Sequence, residues 1–240
     1  MDARTPWPFG PLQPYSYDLT MFDPPWPTEM RSAKGEEKSS VGKYGKMEFS
    51  EIGAMPVGML GKPDSVLFTW CTWPLILHGG DPKERYRDFN AGRSKVGEVL
   101  HRLGARYVTG GAWFKRTVTG KAAFGTGYRV RTTCEPFLLS IFGNPDSRGA
   151  RRSRNVIESI EENAFDGLRR GHSQKPEEAY AWCECYMPAG SRFCEIFSRT
   201  SRPRWDTWGL QAGMFDPVVY LDGRPADLGL TVRAAFGGAA

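Results

Sequence analysis

Cysteine is scarce and badly spaced for ligation. Five occur in 240 residues (Cys71, Cys134, Cys183, Cys185, Cys194), an odd number with no C-x-x-C pair. A disulfide framework or a zinc site is therefore not expected, and the thiols read as reduced core residues. Histidine is scarcer still. His78, His101 and His172 have no metal-ligand spacing, so no metal is expected. Long apolar runs are missing: the longest, residues 66–77, is interrupted by Thr69, Thr72 and Pro74 and is too short to span a bilayer. The opening MDARTPWPFG lacks the basic-then-apolar layout of a signal peptide, which favours an intracellular, cytoplasmic location. Internal repeats, low-complexity tracts and the nucleotide-loop patterns GxGxxG and GxxxxGKS/T are absent, so Gly125-Thr126-Gly127 reads as ordinary loop chemistry.

What is present suits a globular chain with an anionic partner. Charged residues are 25% and the apolar set 40%, which excludes wholesale disorder, and the length suits one large domain or two small ones. Lys and Arg number 32 against 27 Asp and Glu, a net +5. The distribution says more than the sum. Arg148, Arg151, Arg152 and Arg154 crowd into SRGARRSRN, and Arg199, Arg202 and Arg204 into SRTSRPRW.

Apolar segments predict strands at residues 17–22, 65–71, within 106–115, 133–142, 155–160 and 192–197. Helices are predicted at 48–60, broken at Pro56, at 95–103 with Gly104 as its C-terminal stop, and at 176–186 with Pro176 in the first turn. Residues 34–46 read as a mobile polar loop, 120–127 as a glycine-rich loop and 212–240 as a tail. Trp70, Trp113 and Trp182 read as core and Trp26 as the exception. Strands alternating with helices predict an α/β fold with a mostly parallel sheet, whose ligands sit beyond the carboxyl ends of its strands. Two segments stand at such ends, 23–26 and 198–208.

The first is Asp23-Pro24-Pro25-Trp26, directly after the apolar YDLTMF. Two prolines stiffen the turn and remove two backbone donors. The Asp23 carboxylate and Pro24 carbonyl are then two fixed acceptors that can grip both hydrogens of one NH2 group. Trp26 adds a flat face for a base, worth about 1–3 kcal/mol of stacking. An exocyclic base amine is a poor nucleophile because its lone pair is delocalised; two acceptors on its hydrogens favour a localised lone pair that can attack a methyl in line.

A strand ending in DPPW resembles the DPPW-type adenine N6-methyltransferases, which include the catalytic subunit of the eukaryotic mRNA adenosine methyltransferase and phage and bacterial DNA enzymes. Further segments follow in the family's order: Tyr44 to Met47, 66–70, Trp113-Phe114-Lys115, Glu135 through Gly143-Asn144-Pro145, His172 to Pro176, Glu195 to Arg199, and Trp205 through Gln211. The resemblance implies a Rossmann-like methyltransferase fold with permuted motif order, a catalytic domain over residues 1–211 and S-adenosylmethionine as methyl donor. It implies that Asp23, Pro24, Pro25 and Trp26 hold and wall the target adenine, with Tyr44 and Glu135 bordering it. It also implies that Lys175 meets the donor's amino-acid end, and that Arg199 and Gln211 hold its ribose with Ser201 and Arg202 in the same loop. The chain departs from the pattern in lacking a methyltransferase glycine loop and in carrying Leu210 where relatives often have Asn. Backbone groups near Phe9 to Leu12 stand in for the family's Asp beside the donor adenine.

The implied partner is nucleic acid, DNA before RNA, in a bacterial or phage-infected cell. Arg148, Arg151, Arg152 and Arg154 are candidates to neutralise its phosphates, the alternative being a solvated basic loop. With no second domain for target recognition, specificity falls to the 34–46 loop, the 148–154 loop, or a partner subunit in a homodimer or heterodimer. An RNA adenine methyltransferase and a non-catalytic nucleic-acid-binding subunit are the rival readings.

Overall fold

Tyr17–Phe22 (β1) is apolar apart from Asp18 and Thr20 because it lies mid-sheet with both faces covered. The computed structural model describes residues 6–27, 47–77, 94–123, 130–146, 153–161, 175–214, 216, 220–221 and 224–225. After β1 come helix α1 (Phe49–Ala54), a 3-10 turn (Val57–Met59), β2 (Gly61–Trp70), α2 (Trp73–Leu77) and α3 (Lys95–Arg102). Next are β3 (Arg106–Thr117), β4 (Cys134–Phe142), β5 (Val156–Glu161) and α4 (Glu177–Tyr186). Then follow β6 (Phe193–Ile196), β7 (Trp205–Trp208) and a two-stranded pair, β8 (Tyr220–Leu221) with β9 (Arg224–Pro225).

The main sheet has the order β5-β3-β4-β2-β1-β6-β7. All neighbours are parallel except β4, which runs against both β2 and β3. This is a Rossmann-like α/β architecture. One core layer packs Phe22, Leu67, Val96, Val99 and Leu100 beneath α1 and α3; the other packs Leu19, Phe68, Trp70, Phe137, Tyr180 and Cys183 beneath α4.

The predicted helix over 48–60 is two pieces. Pro56 separates α1 from the 3-10 turn, and Glu48 and Glu51 close a capping box at the start of α1. α3 follows its amphipathic pattern, with Ser94 Oγ accepting from Gly97 N–H at 3.0 Å and Gly104 at φ +79°, where a side chain would be strained. Pro176 caps α4 from outside rather than opening its first turn. Three features depart from the sequence expectation: α2, the edge strand β7 inside a presumed ligand loop, and the β8–β9 pair within the presumed tail. β7 exists because it pairs with β6 in register and because Tyr17 Oη donates to Asp206 at 2.8 Å, a bond spanning most of the chain. No described helix is long and apolar enough to cross a membrane.

This topology brings the carboxyl ends of β1, β2, β3, β6 and β7 to one edge. Because β4 is reversed, its amino end arrives there too, carrying Glu135.

Candidate active site

At that edge four charges alternate. Lys175, just before α4 and only 7% exposed, lies 3.3 Å from Asp23 Oδ2 and hydrogen-bonds Glu135 Oε1 in a very short contact. Glu135 Oε2 also receives Lys115 Nζ from β3 at 3.4 Å. The Lys175 ammonium sits 4.8 Å from the centre of the Trp70 ring. Three groups expected at the site, Asp23, Glu135 and Lys175, are thus in contact although they arise from three separate elements.

Burial drives the electrostatics. It pushes the Asp23 carboxyl above the usual range, a rise that Lys175 and Arg199 reduce and Glu135 reinforces. Burial pushes on Glu135 in the same sense, but Lys175 and Lys115 together outweigh it and hold that carboxyl below its ordinary value. Lys175 would be depressed by burial; Asp23 and Glu135 instead lift it above the usual lysine range. The two carboxylates therefore differ: Glu135 is firmly ionised, and Asp23 is the readier proton acceptor. Cys71, whose Sγ is 3.8 Å from the Pro136 carbonyl, is pushed up to about 12 by burial and the neighbouring Glu135, so it stays a thiol.

The DPPW turn is rigid for reasons beyond its prolines. Pro24 O accepts from Trp26 N at 2.7 Å, and Pro25 O accepts from Met47 N at 3.1 Å. The Pro24 carbonyl, expected as a free acceptor, already uses one lone pair and keeps a second. Trp26 is not the exception among the tryptophans. It is 6% exposed, packs against Phe22 and Phe49, and donates its indole N–H to the Trp70 carbonyl at 2.8 Å. Its indole pins the turn to the end of β2, so a broad free stacking face is not present. Trp70 and Trp113 are core as expected, while Trp182 is half-buried and stacked on Tyr186 at 5.2 Å.

The loop after β6 supplies the other wall. Phe197 holds φ +68° between the rings of Phe22 and Trp208, a strained backbone for a bulky residue and the kind found at functional sites. Arg199 follows and shares a small cleft with Asp23, Lys175, Glu195 and Arg202. Ser201 Oγ and Gln211 Oε1 are buried without a hydrogen-bond partner among the described residues. Buried orphan polar atoms are costly unless a ligand or water meets them.

Arg202, expected to face the donor beside Ser201, is already committed. At 8% exposure it donates to both Glu177 oxygens at 2.7 and 3.1 Å and to Thr200 O at 3.2 Å. Its guanidinium lies 3.5 Å over the Tyr180 ring and 3.8 Å from Glu195. It straps the loop to α4. Glu195 stands out in the sequence only as part of a motif. It accepts from Tyr180 Oη at 2.9 Å and Ser198 Oγ at 2.7 Å, and burial raises its carboxyl despite Arg202.

Tyr44, Arg148, Arg151 and Arg152 lie outside the described residues. Arg154 is exposed just before β5, the edge strand four positions from β1, about 19 Å away by strand spacing. It is not part of the charge cluster, and its carbonyl accepts from Trp182 Nε1 at 2.8 Å.

Comparison with known proteins agrees with the geometry. The MT-A70 family model matches residues 17–211. The fission yeast (Schizosaccharomyces pombe) protein C22G7.07c, uncharacterized, is 26% identical over 83% of this chain and 42% of its own length. Human N(6)-adenine-specific methyltransferase METTL4 is 23% identical over 86% of this chain and 39% of its own length. The N6-methyladenosine RNA methyltransferase MTA1 of Cryphonectria parasitica is 22% identical over 85% of this chain and 54% of its own length. The chain thus spans about half the length, or less, of these relatives. A reversed β4 that delivers Glu135 to the DPPW turn, on a sheet matched from its first strand through Gln211, belongs to a protein of the MT-A70 family.

Proposed function

We propose that this chain transfers a methyl group to the N6 amine of adenine in nucleic acid, with DNA as the substrate. The observation that carries the reading is Asp23, fixed by the DPPW turn at the carboxyl end of the central strand and flanked by Lys175 and Glu135. MT-A70 methyltransferases take the methyl from S-adenosylmethionine, which when bound presents an electrophilic methyl on a sulfonium. The residues fit that donor. The orphaned Ser201 Oγ and Gln211 Oε1, with Arg199 from the same loop, suit the donors and acceptors of a ribose diol, and Lys175 supplies positive charge for the donor's amino-acid end.

The chain's own task is to make a weak nucleophile competent. The Asp23 carboxylate accepts one hydrogen of the amine and the second lone pair of the Pro24 carbonyl accepts the other. Trp26 keeps both acceptors from drifting by anchoring the turn to Trp70. The alkylated amine is acidic, and its proton passes to Asp23 or to water; the raised carboxyl of Asp23 suits acceptance. In a duplex the adenine must leave the stack to reach Asp23, which costs a few kcal/mol. Residues 1–211 serve as the catalytic domain, and a partner subunit, the 34–46 segment or the basic 148–154 segment supplies target selection.

A second reading, RNA as the substrate, draws support from the relative named as an RNA methyltransferase. Matched DNA and RNA oligomers, radiolabelled donor and nucleoside digestion decide between them. N6-methyladenine released from DNA and absent in Asp23→Ala is the expected result. Label on another base, or full activity in Asp23→Ala, refutes the reading.

A further inference from the structure

We propose that Lys115 is a positioning residue of this site: it occupies one oxygen of Glu135 so that Lys175 stays shared with Asp23. Two carboxylates, Asp23 and Glu135, compete for one buried ammonium. Lys175 hydrogen-bonds Glu135 as well as pairing with Asp23, so without a second cation Glu135 would draw Lys175 to itself or take up a proton. Lys115 meets the other oxygen, Oε2, at 3.4 Å.

Its placement is built rather than incidental. Trp113 stands directly opposite Glu135 in the β3–β4 register, and Lys115, two residues on, faces it diagonally from the same side of the sheet. The Lys115 ammonium rests 4.0 Å over the Trp113 ring, and that ring is held by its N–H donating to Ser159 Oγ at 2.7 Å. The lysine side chain is 27% exposed, enough desolvation for the pairing to differ from a solvated surface contact. The groups facing Glu135 are Lys115 from β3, Lys175 ahead of α4, Asp23 after β1 and the Cys71 thiol after β2. Two cations then face Glu135, Arg199 adds positive charge near Asp23, and Lys175 can share itself with Asp23. The kinetic consequence rests on the methyltransferase reading; the charge arrangement does not.

The test separates the two. The full chain is labelled with carboxyl-13C glutamate, the Glu135 resonance is identified by its loss in Glu135→Gln, and its titration is followed without any donor. In Lys115→Met, and in Lys115→Gln should the first variant fold poorly, the Glu135 midpoint is expected to rise by about one pH unit; Lys115→Arg restores it. An unmoved midpoint in the neutral variants overturns the proposal whatever the activity. Where methyl transfer to adenine is measured, the acid limb of kcat/KM rises with the midpoint in Lys115→Met, and a limb that stays in place while the midpoint moves refutes the link to Asp23. Absence of adenine methylation by the wild type ends the functional reading and leaves the titration to decide on Lys115.

Discussion

Replacing Lys175 by Met leaves two largely desolvated carboxylates facing each other, with Lys115 alone beside Glu135 and Arg199 near Asp23. At 3.3 Å the Lys175–Asp23 attraction is about 5 kcal/mol at an effective dielectric of 20, opposed by the desolvation of the ammonium itself. Removing one member of such a buried set costs about 3–5 kcal/mol at a pH where both acids are ionised. The cost depends on pH, and the sign is fixed by the linkage. In the wild type Glu135 is held below its ordinary value, so its contribution is present above the ordinary glutamate range and is lost as pH falls. Asp23 is raised, so its contribution runs the other way, fading as pH climbs from the ordinary aspartate value through the raised one. Without Lys175 both acids are raised and both contributions fade with rising pH. Urea unfolding of wild type and Lys175→Met should therefore give a stability gap that widens from pH 5 to pH 8. Adding Glu135→Gln to Lys175→Met should close part of the gap, since one stranded charge is removed. A gap below about 1 kcal/mol at pH 8, or one independent of pH, would refute the cluster as drawn.

Ser201→Ala and Gln211→Leu should each weaken S-adenosylmethionine binding by about three- to tenfold in calorimetry, with the unliganded protein no less stable, because each variant deletes an orphaned buried polar atom. Unchanged donor affinity in both would move the ribose elsewhere. Arg202→Met should destabilise the fold by about 2–4 kcal/mol in urea, since Glu195 loses its buried cation and α4 its strap to the loop. A variant of normal stability that merely loses donor affinity would return Arg202 to the donor. Serine at Arg148, Arg151, Arg152 and Arg154 together should flatten the salt dependence of duplex binding by about 0.9 in log–log slope for each phosphate no longer neutralised. An unchanged slope assigns phosphate neutralisation to other residues.

The fold was legible where burial leaves a pattern. β1 lies between β2 and β6 with both faces covered, so it reads as an apolar run broken only by Asp18 and Thr20. α3 declares itself through Val96, Val99 and Leu100 on one face, Ser94 at its start and Gly104 at its end. β7 did not, because four residues reading Trp-Asp-Thr-Trp have no usable period. It is a strand only because β6 offers an edge and Tyr17 reaches Asp206.

The site was legible to the extent that its chemistry is local. Asp23 and its prolines are consecutive, so a rigid pair of acceptors can be argued from four letters. The cluster around it is not local: Lys175 is 40 residues from Glu135, and Glu135 is 20 from Lys115. No spacing rule joins them; family resemblance named Glu135 and Lys175 separately, and only the reversed β4 makes them neighbours. The same limit hides what Trp26 and Arg202 already hold. Trp26 follows a turn that points toward a ligand, but its indole finds the Trp70 carbonyl. Arg202 stands in a basic loop, but Glu177, 25 residues upstream, takes its guanidinium. Sequence shows charge and aromatic surface without showing what has already consumed them. The residues left after such consumption mark the site best. Asp23 is a largely desolvated acid raised above its usual range, Glu135 another held below it, and the Gln211 Oε1 and Ser201 Oγ atoms are buried without a hydrogen-bond partner among the described residues. Apolar groups of the same volume would be no less stable there. That such groups gather at one edge of a parallel sheet, where ligands sit, is the physical reason to look for chemistry there.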